Sequence, residues 1–215
     1  DSSNGTPLRT ALQNTGTYFE TGMASWGGTW ATSPILPEAQ GGACQQNFAI
    51  LMSDGYWNSD TAGSITANNA DADGAGEWDG GSYADTYSDT LADVAMHYYE
   101  RDLSAALPNE VRRTASDQND AQHLVTFTVA FGVNGTLSSN PTSTTAPFAW
   151  PNPLDAEDAE RVDDMRHAAW NGRGQFLNAG DPDQLITSLG NAIADIDARS
   201  GSAAAVSFNS TSLQN

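Results

Sequence analysis

Short apolar stretches alternate along this chain with long polar, glycine-rich ones, and the spacing inside each apolar stretch predicts its local structure. Leu8, Ala11, Leu12, Thr15, Tyr18 and Phe19 recur at the helical period, because residues three and four apart share one helix face. Thr6 and Pro7 precede that stripe. A threonine hydroxyl accepts from the first free N–H groups of a helix, and proline at the first helical position gives up no needed donor. Leu91, Val94, Ala95, Tyr98 and Leu103 predict a second helix over 90–103. Asp155, Glu157 and Asp158 crowd the start of a third, over 155–170, where negative charge complements the helix dipole. Asp181-Pro182-Asp183-Gln184 opens a fourth with a cap, a proline and a capping-box partner. Leu185, Leu189, Ile193 and Ile196 share one of its faces, and it is expected to stop near Gly201.

Three other stretches read as strands. Phe48-Ala49-Ile50-Leu51-Met52 is a continuous apolar run closed by Ser53-Asp54-Gly55, the pattern of a parallel strand covered on both faces. Leu124 to Val133 is rich in β-branched and aromatic residues and is closed by Asn134-Gly135. A brief strand is expected around Gln175-Phe176-Leu177. Helices and strands thus alternate, which is the order of a doubly wound α/β domain with a mainly parallel sheet. Three strands make a thin sheet, so further strands are expected upstream of residue 1. One domain is read over 1–200, with irregular insertions at about 22–46, 58–88 and 137–154. Residues 201–215, without periodicity, read as a linker.

Charge narrows the function. The chain carries 27 acidic and 8 basic residues, every basic one arginine, for a net charge of −19. Such a surface repels nucleic acid and anionic membrane and attracts divalent cations or basic partners, unless it is simply a hydrated shell suited to salty surroundings. No apolar run reaches the roughly 18 residues that a membrane span needs, and the start shows no leader pattern. Abundant Gly, Ser, Thr, Asn, Asp and Trp lean towards an exported protein. Cys44 is alone; it is either a small buried apolar residue or half of a disulfide whose partner lies outside these residues.

Two places offer ligand chemistry. Ligands of open parallel sheets bind beyond the carboxyl ends of the strands. Asp54 ends the first strand there, and the helix capped by Thr6 opens towards the same rim. A hydroxyl and a carboxylate supply two of about six oxygens that a hard divalent cation takes, although a cap and a turn residue would look the same. Asn69-Ala70-Asp71-Ala72-Asp73-Gly74 matches the first half of an EF-hand-like calcium loop. Position twelve is Gly80 in place of glutamate, with Glu77 or Asp79 as substitutes; the alternative is a solvated acidic turn. Catalytic signatures are absent: there is no G-x-S-x-G, no H-E-x-x-H and no P-loop. His97, His123 and His167 lack metal-pair spacing, and nothing adjacent activates Cys44.

Longer strings carry a resemblance. Gly5-Thr6-Pro7-Leu8 and Ile50-Leu51-Met52-Ser53-Asp54-Gly55 resemble the second and third metal-site loops of von Willebrand factor A domains. Asn47 to Asn58, Tyr83 to Met96 leading into Tyr98 to Leu103, Val125 to Val133, Ala168 to Phe176 and Ser207 to Leu213 are similar to stretches of the PilC/PilY family of type IV pilus adhesins. The resemblance implies a Rossmann-type von Willebrand factor A domain and a non-enzymatic role in pilus assembly, twitching motility and adhesion. It places the protein outside the cell, at the pilus tip or outer-membrane surface. Its implied partners are minor pilins, host or abiotic surfaces, and a carboxyl-terminal β-propeller of the same protein. Thr6 and Asp54 would be part of a metal-ion-dependent adhesion site for Mg2+ or Ca2+. The family's first metal loop, D-x-S-x-S at the end of a strand, has no counterpart here, because Asp1-Ser2-Ser3 directly precedes Gly5-Thr6. The same truncation would account for the thin sheet and the unpaired Cys44. A purely structural spacer and a secreted hydrolase are the competing readings.

Overall fold

The computed structural model describes residues 5–22, 32–54, 56–58, 65–76, 78–155 and 158–210, with side chains through residue 200. Seven main elements follow in the order helix α1 (Leu8–Thr21), strand β1 (Asn47–Ser53), helix α2 (Leu91–Glu100), strand β2 (Leu124–Phe131), helix α3 (Asp158–Asn171), strand β3 (Arg173–Ala179) and helix α4 (Pro182–Ser210). The strands lie side by side as β1-β2-β3, and both pairings are parallel. Each parallel step needs a crossover, which α2 and α3 supply. The chain is therefore a doubly wound α/β domain.

Alternation along β2 decides which helix lies where. Leu124 and Ala130 pack with α1, α2 and α3 through Leu8, Leu12, Leu91, Val94, Ala95, Val162, Met165 and Ala168. Val125 and Phe127 turn to the opposite face and meet Ala192 and Ile196 of α4. Thr128 bridges polar and apolar needs by donating its hydroxyl to the Met165 carbonyl, 2.7 Å away. Gly16 lets α1 and α2 approach closely, since a Cβ there would run into the Tyr98 ring.

Four expectations change. β1 is not covered on both faces: Ala49 and Leu51 are buried against the helices, but Ile50 and Met52 are 40% and 53% exposed. Among the described residues α4 covers the far face over β2 and β3, and leaves the outer part of β1 open. Thr6 does not cap α1; Pro7 holds the cap position with no side-chain hydrogen bond. α4 runs past Gly201 to Ser210, where Ala203-Ala204-Ala205 are strong helix formers; the rest of the expected linker lies outside the described residues. Cys44 is exposed, at the end of a 3-10 turn, with Sγ against the Gly41 carbonyl.

α2 and α4 start as their sequences dictate. Thr90 and Asp93 form a reciprocal capping box on α2. At α4, Asp181 accepts from the backbone and side-chain nitrogens of Gln184, whose amide oxygen accepts from Gly180 N–H.

Candidate metal sites and binding surfaces

The loop before α1 is fastened to the segment leaving β1. Thr6 N–H donates to Asn58 Oδ1 at 2.8 Å, and the Thr6 carbonyl accepts from Asn58 N–H at 2.9 Å. Asp54, exposed, follows the last residue of β1. The contacts of Thr6 thus reach Asn58, four positions beyond Asp54 in the sequence. Trp57 anchors this corner: its Nε1–H donates to Asp164 Oδ2 at 2.8 Å, and the Arg9 guanidinium sits 4.0 Å from its ring.

The acidic turn at 69–80 is divided by its own backbone. Asp73 and Asp79 lie on the outer side, where Asp73 Oδ1 accepts from Ala75 N–H and Asp79 Oδ2 from Gly74 N–H, each at 2.7 Å. Gly74 and Gly80 take positive φ, +71° and +83°, which lets the chain fold back on itself. Glu100, at the end of α2, faces Asp79. Burial, with the charges of Asp79 and Asp73, pushes its carboxyl well above the usual range. Asp79 is shifted the same way by burial, partly offset by the Gly74 N–H and opposed again by Asp73. Asp79 Oδ1, Glu100 Oε2 and Asn69 Oδ1 are buried oxygens with no hydrogen-bond partner. Facing carboxylates of this kind need either a shared proton or a cation. Sequence spacing put the missing acidic ligand at Glu77 or Asp79. Glu77 lies outside the described residues, and the structure brings Glu100 from a helix that loop spacing does not reach.

Asp71 points the other way, into the core. Its Oδ1 accepts from Asp85 N–H at 3.2 Å and its Oδ2 from Asn171 Nδ2 at 3.0 Å. Burial, only partly offset by His167, raises its pKa to about 6. His167 on α3 stands between two carboxylates, with Nε2 3.5 Å from Asp71 Oδ2 and Nδ1 3.5 Å from Asp85 Oδ2. Two further buried aspartates adjoin it. Asp164 is held at about 6 by burial, with the Leu91 N–H pulling down. Asp93 is raised to about 9 by burial and the Asp71 charge. No periodicity signals this cluster, since its members come from the β1–α2 connection and from two helices.

A cavity of about 690 Å3 opens beside the acidic turn, along Trp78 to Gly81. Half-buried Trp78, Tyr83 and Trp170 line it, with Arg173 and Arg199 beneath and Asp195 at one side. Its size suits a ligand pocket, and its wall combines these aromatic rings with many polar and charged side chains.

The other two histidines are spoken for. His123 lies between the Ala121 carbonyl and Asp117, at 2.7 and 3.0 Å. His97 Nε2 accepts from Arg101 at 2.6 Å, and burial together with that arginine lowers its pKa to about 4. A histidine depressed below its unfolded value contributes stability above pH ~6.5 that is lost as pH falls towards 4. His97→Gln should therefore reduce the acid-side loss by on the order of 1 kcal/mol, after screening at this partly exposed site. Thermal melts of both proteins at pH 7 and 4.5 check this; equal losses in the two would refute it.

No family model matches the chain, and no solved structure matches it. Among curated proteins, the type IV pilus biogenesis factor PilY1 of Pseudomonas aeruginosa PAO1 is 32% identical over 222 aligned residues, covering 87% of this chain and 18% of PilY1. PilY1 of strain PAK is 31% identical over 86% of the chain, and that of strain UCBPP-PA14 29% over 93%. The chain is related to the PilY1 family. It spans less than a fifth of the length of these PilY1 proteins, at 18% to 19%. Helices with described side chains include none long and apolar enough to cross a membrane.

Proposed function

We propose that this chain is a non-enzymatic, von Willebrand factor A-type module of a type IV pilus-associated surface protein. It serves adhesion and pilus assembly at the pilus tip or outer-membrane surface. The relationship to PilY1 along most of the chain supports the pilus setting. The observation that carries the mechanism is the meeting of Asp79 and Glu100, two carboxyl groups that face each other and whose buried oxygens have no partner but one another. A calcium ion held there by Asn69, Asp73, Asp79 and Glu100 would add positive charge to this acidic face, and fix the turn that forms one wall of the aromatic cavity. The Thr6–Asp54 rim is the second cation-dependent surface of this reading, and minor pilins or host and abiotic surfaces are the partners. A carboxyl-terminal propeller in the full-length protein belongs to the same proposal.

Calorimetric titration with calcium tests the mechanism. Wild-type chain should bind calcium, and Asp79→Asn/Glu100→Gln should weaken binding more than about tenfold, as loss of two charged oxygen ligands requires. Unchanged affinity would reduce the turn to a solvated loop. Adhesion tests the role: Asp54→Ala should lower surface attachment of piliated cells while pilus number stays constant. Normal attachment would favour a spacer that only holds neighbouring domains apart. Substrate turnover lost on mutating Cys44 or a histidine would instead favour a secreted hydrolase.

A further inference from the structure

The inward side of the acidic turn meets a histidine, and its chemistry differs from that of the calcium reading. His167 Nε2 lies 2.6 Å from the Tyr83 carbonyl, an acceptor only, so Nε2 carries a proton, and in the neutral ring Nδ1 offers a lone pair. Nδ1 is 3.5 Å from Asp85 Oδ2, beyond the range of an N–H···O hydrogen bond. That separation matches the edge, roughly 3.4 Å, between two ligands that each stand about 2.1 Å from one ion in a tetrahedral shell. One ligand atom from each of Asp71, Asp85 and His167 lies within 4.8 Å of the others.

The surroundings hold these ligands in place as an outer shell does. A ligating histidine usually donates its second N–H to a carbonyl or carboxylate, which Tyr83 provides. Trp150 stacks on the His167 ring at 3.9 Å and 10°. Asp85 Oδ1 accepts from Tyr87 N–H, and Asp71 accepts from Asp85 N–H and Asn171.

A separate observation points to an occupant. Asp93 is 0% exposed, yet its Oδ1 has no partner. It lies close enough to Asp71 and Asp85 to feel both charges. Asn171 is also 0% exposed, with Oδ1 unpartnered while its Nδ2 binds Asp71. An imidazolium at His167 would answer one negative charge and leave these oxygens unsatisfied, at a desolvation cost that native interiors rarely carry.

We propose that Asp71, Asp85 and His167, with Asp93 adjoining, bind a first-row divalent cation, zinc or manganese, in the interior between α2, α3 and the β1–α2 connection. A set of imidazole and carboxylates suits those ions, whereas calcium takes oxygen ligands alone. The ion would cross-link two helices to a loop that has no sheet or helix ladder of its own. This site does not depend on the calcium reading, because Asp73, Asp79 and Glu100 face the opposite side of the turn.

The test uses the full 215-residue chain, stripped with EDTA and titrated separately with zinc, manganese and calcium chloride. Metal content is read by mass spectrometry and stability by thermal melting. One equivalent of zinc or manganese should bind and raise the melting temperature. Asp85→Asn and His167→Gln should each weaken that binding more than about tenfold, and Glu100→Gln should leave it unchanged. Where His167→Gln fails to fold, the near-isosteric Asp85→Asn and the wild-type stoichiometry decide. No bound zinc or manganese, a melting temperature indifferent to both, or binding unaffected by Asp85→Asn would overturn the proposal in favour of a protonated His167 bridging two aspartates.

Discussion

Asp164→Ala is expected to remove about 3–5 kcal/mol of stability, the range for a buried charged group stripped from its partners. Asp164 is 4% exposed and accepts from Leu91 N–H at 2.9 Å, Ala92 N–H at 3.0 Å and Trp57 Nε1–H at 2.8 Å. The first N–H groups of a helix have no partner within it. The Thr90–Asp93 box satisfies others at this end, so Asp164 from α3 completes the cap of α2. Leu91, Ala92 and Trp57 are buried, so water cannot readily replace the carboxylate. Each orphaned donor costs about 1–3 kcal/mol, against a total of roughly 5–15 kcal/mol for a domain. Asp164→Asn should fall between wild type and alanine, because an amide nitrogen must then face one of the same donors. Urea unfolding followed by circular dichroism measures all three proteins. A loss below about 1 kcal/mol for alanine would mean that α2 does not need this cap.

The same residue shows where sequence reading ends. Helix and strand order is legible because apolar residues repeat at local periods, and α1, α2, β2 and α3 each form close to where those periods place them. Coverage is not local. The run Phe48–Met52 reads as doubly buried, but Ile50 and Met52 face outward because burial depends on which helices pack on an edge strand. The acidic string 69–74 was visible as a ligand pattern, yet spacing alone does not say that Asp71 turns inward while Asp73 stays outside. Glu100, Asp85 and His167 had no pattern to betray them. They reach their neighbours only after α2 and α3 pack, and a lone histidine in a helical stretch looks the same whether it meets leucine or aspartate. Thr6 had the right side chain for a cap, but Pro7 took the position.

Arg173→Ala should cost about 3–5 kcal/mol, and for a different reason. Arg173 stands at the junction of α3 and β3 with φ of +57°, a left-handed conformation that costs a non-glycine residue about 1–2 kcal/mol. The register beside it is irregular: Thr126 pairs with Arg173 but Thr128 pairs with Phe176, one extra residue on β3. Such a bulge bends a strand and re-aims its side chains. Here it sends the guanidinium between two rings, 3.7 Å from the Tyr83 centroid and 4.1 Å from that of Tyr99. Desolvated cation–π contacts reach about 2 kcal/mol each, and Arg173 also donates to the Asn171 and Trp78 carbonyls. Its own carbonyl accepts from Arg199 on α4 at 2.8 Å, so the bulge couples the aromatic cavity to that helix. Arg173→Gly relieves the backbone while losing the same contacts, and should therefore be less destabilised than alanine by several tenths to about 1 kcal/mol. That ordering separates the contact contribution from the strain. Urea midpoints give the energies. Hydrogen exchange over 182–200 should quicken in both variants, because α4 loses the geometry that Arg199 reads. An alanine variant as stable as wild type, with α4 exchange unchanged, would show that the two tyrosines hold the cavity without the cation between them.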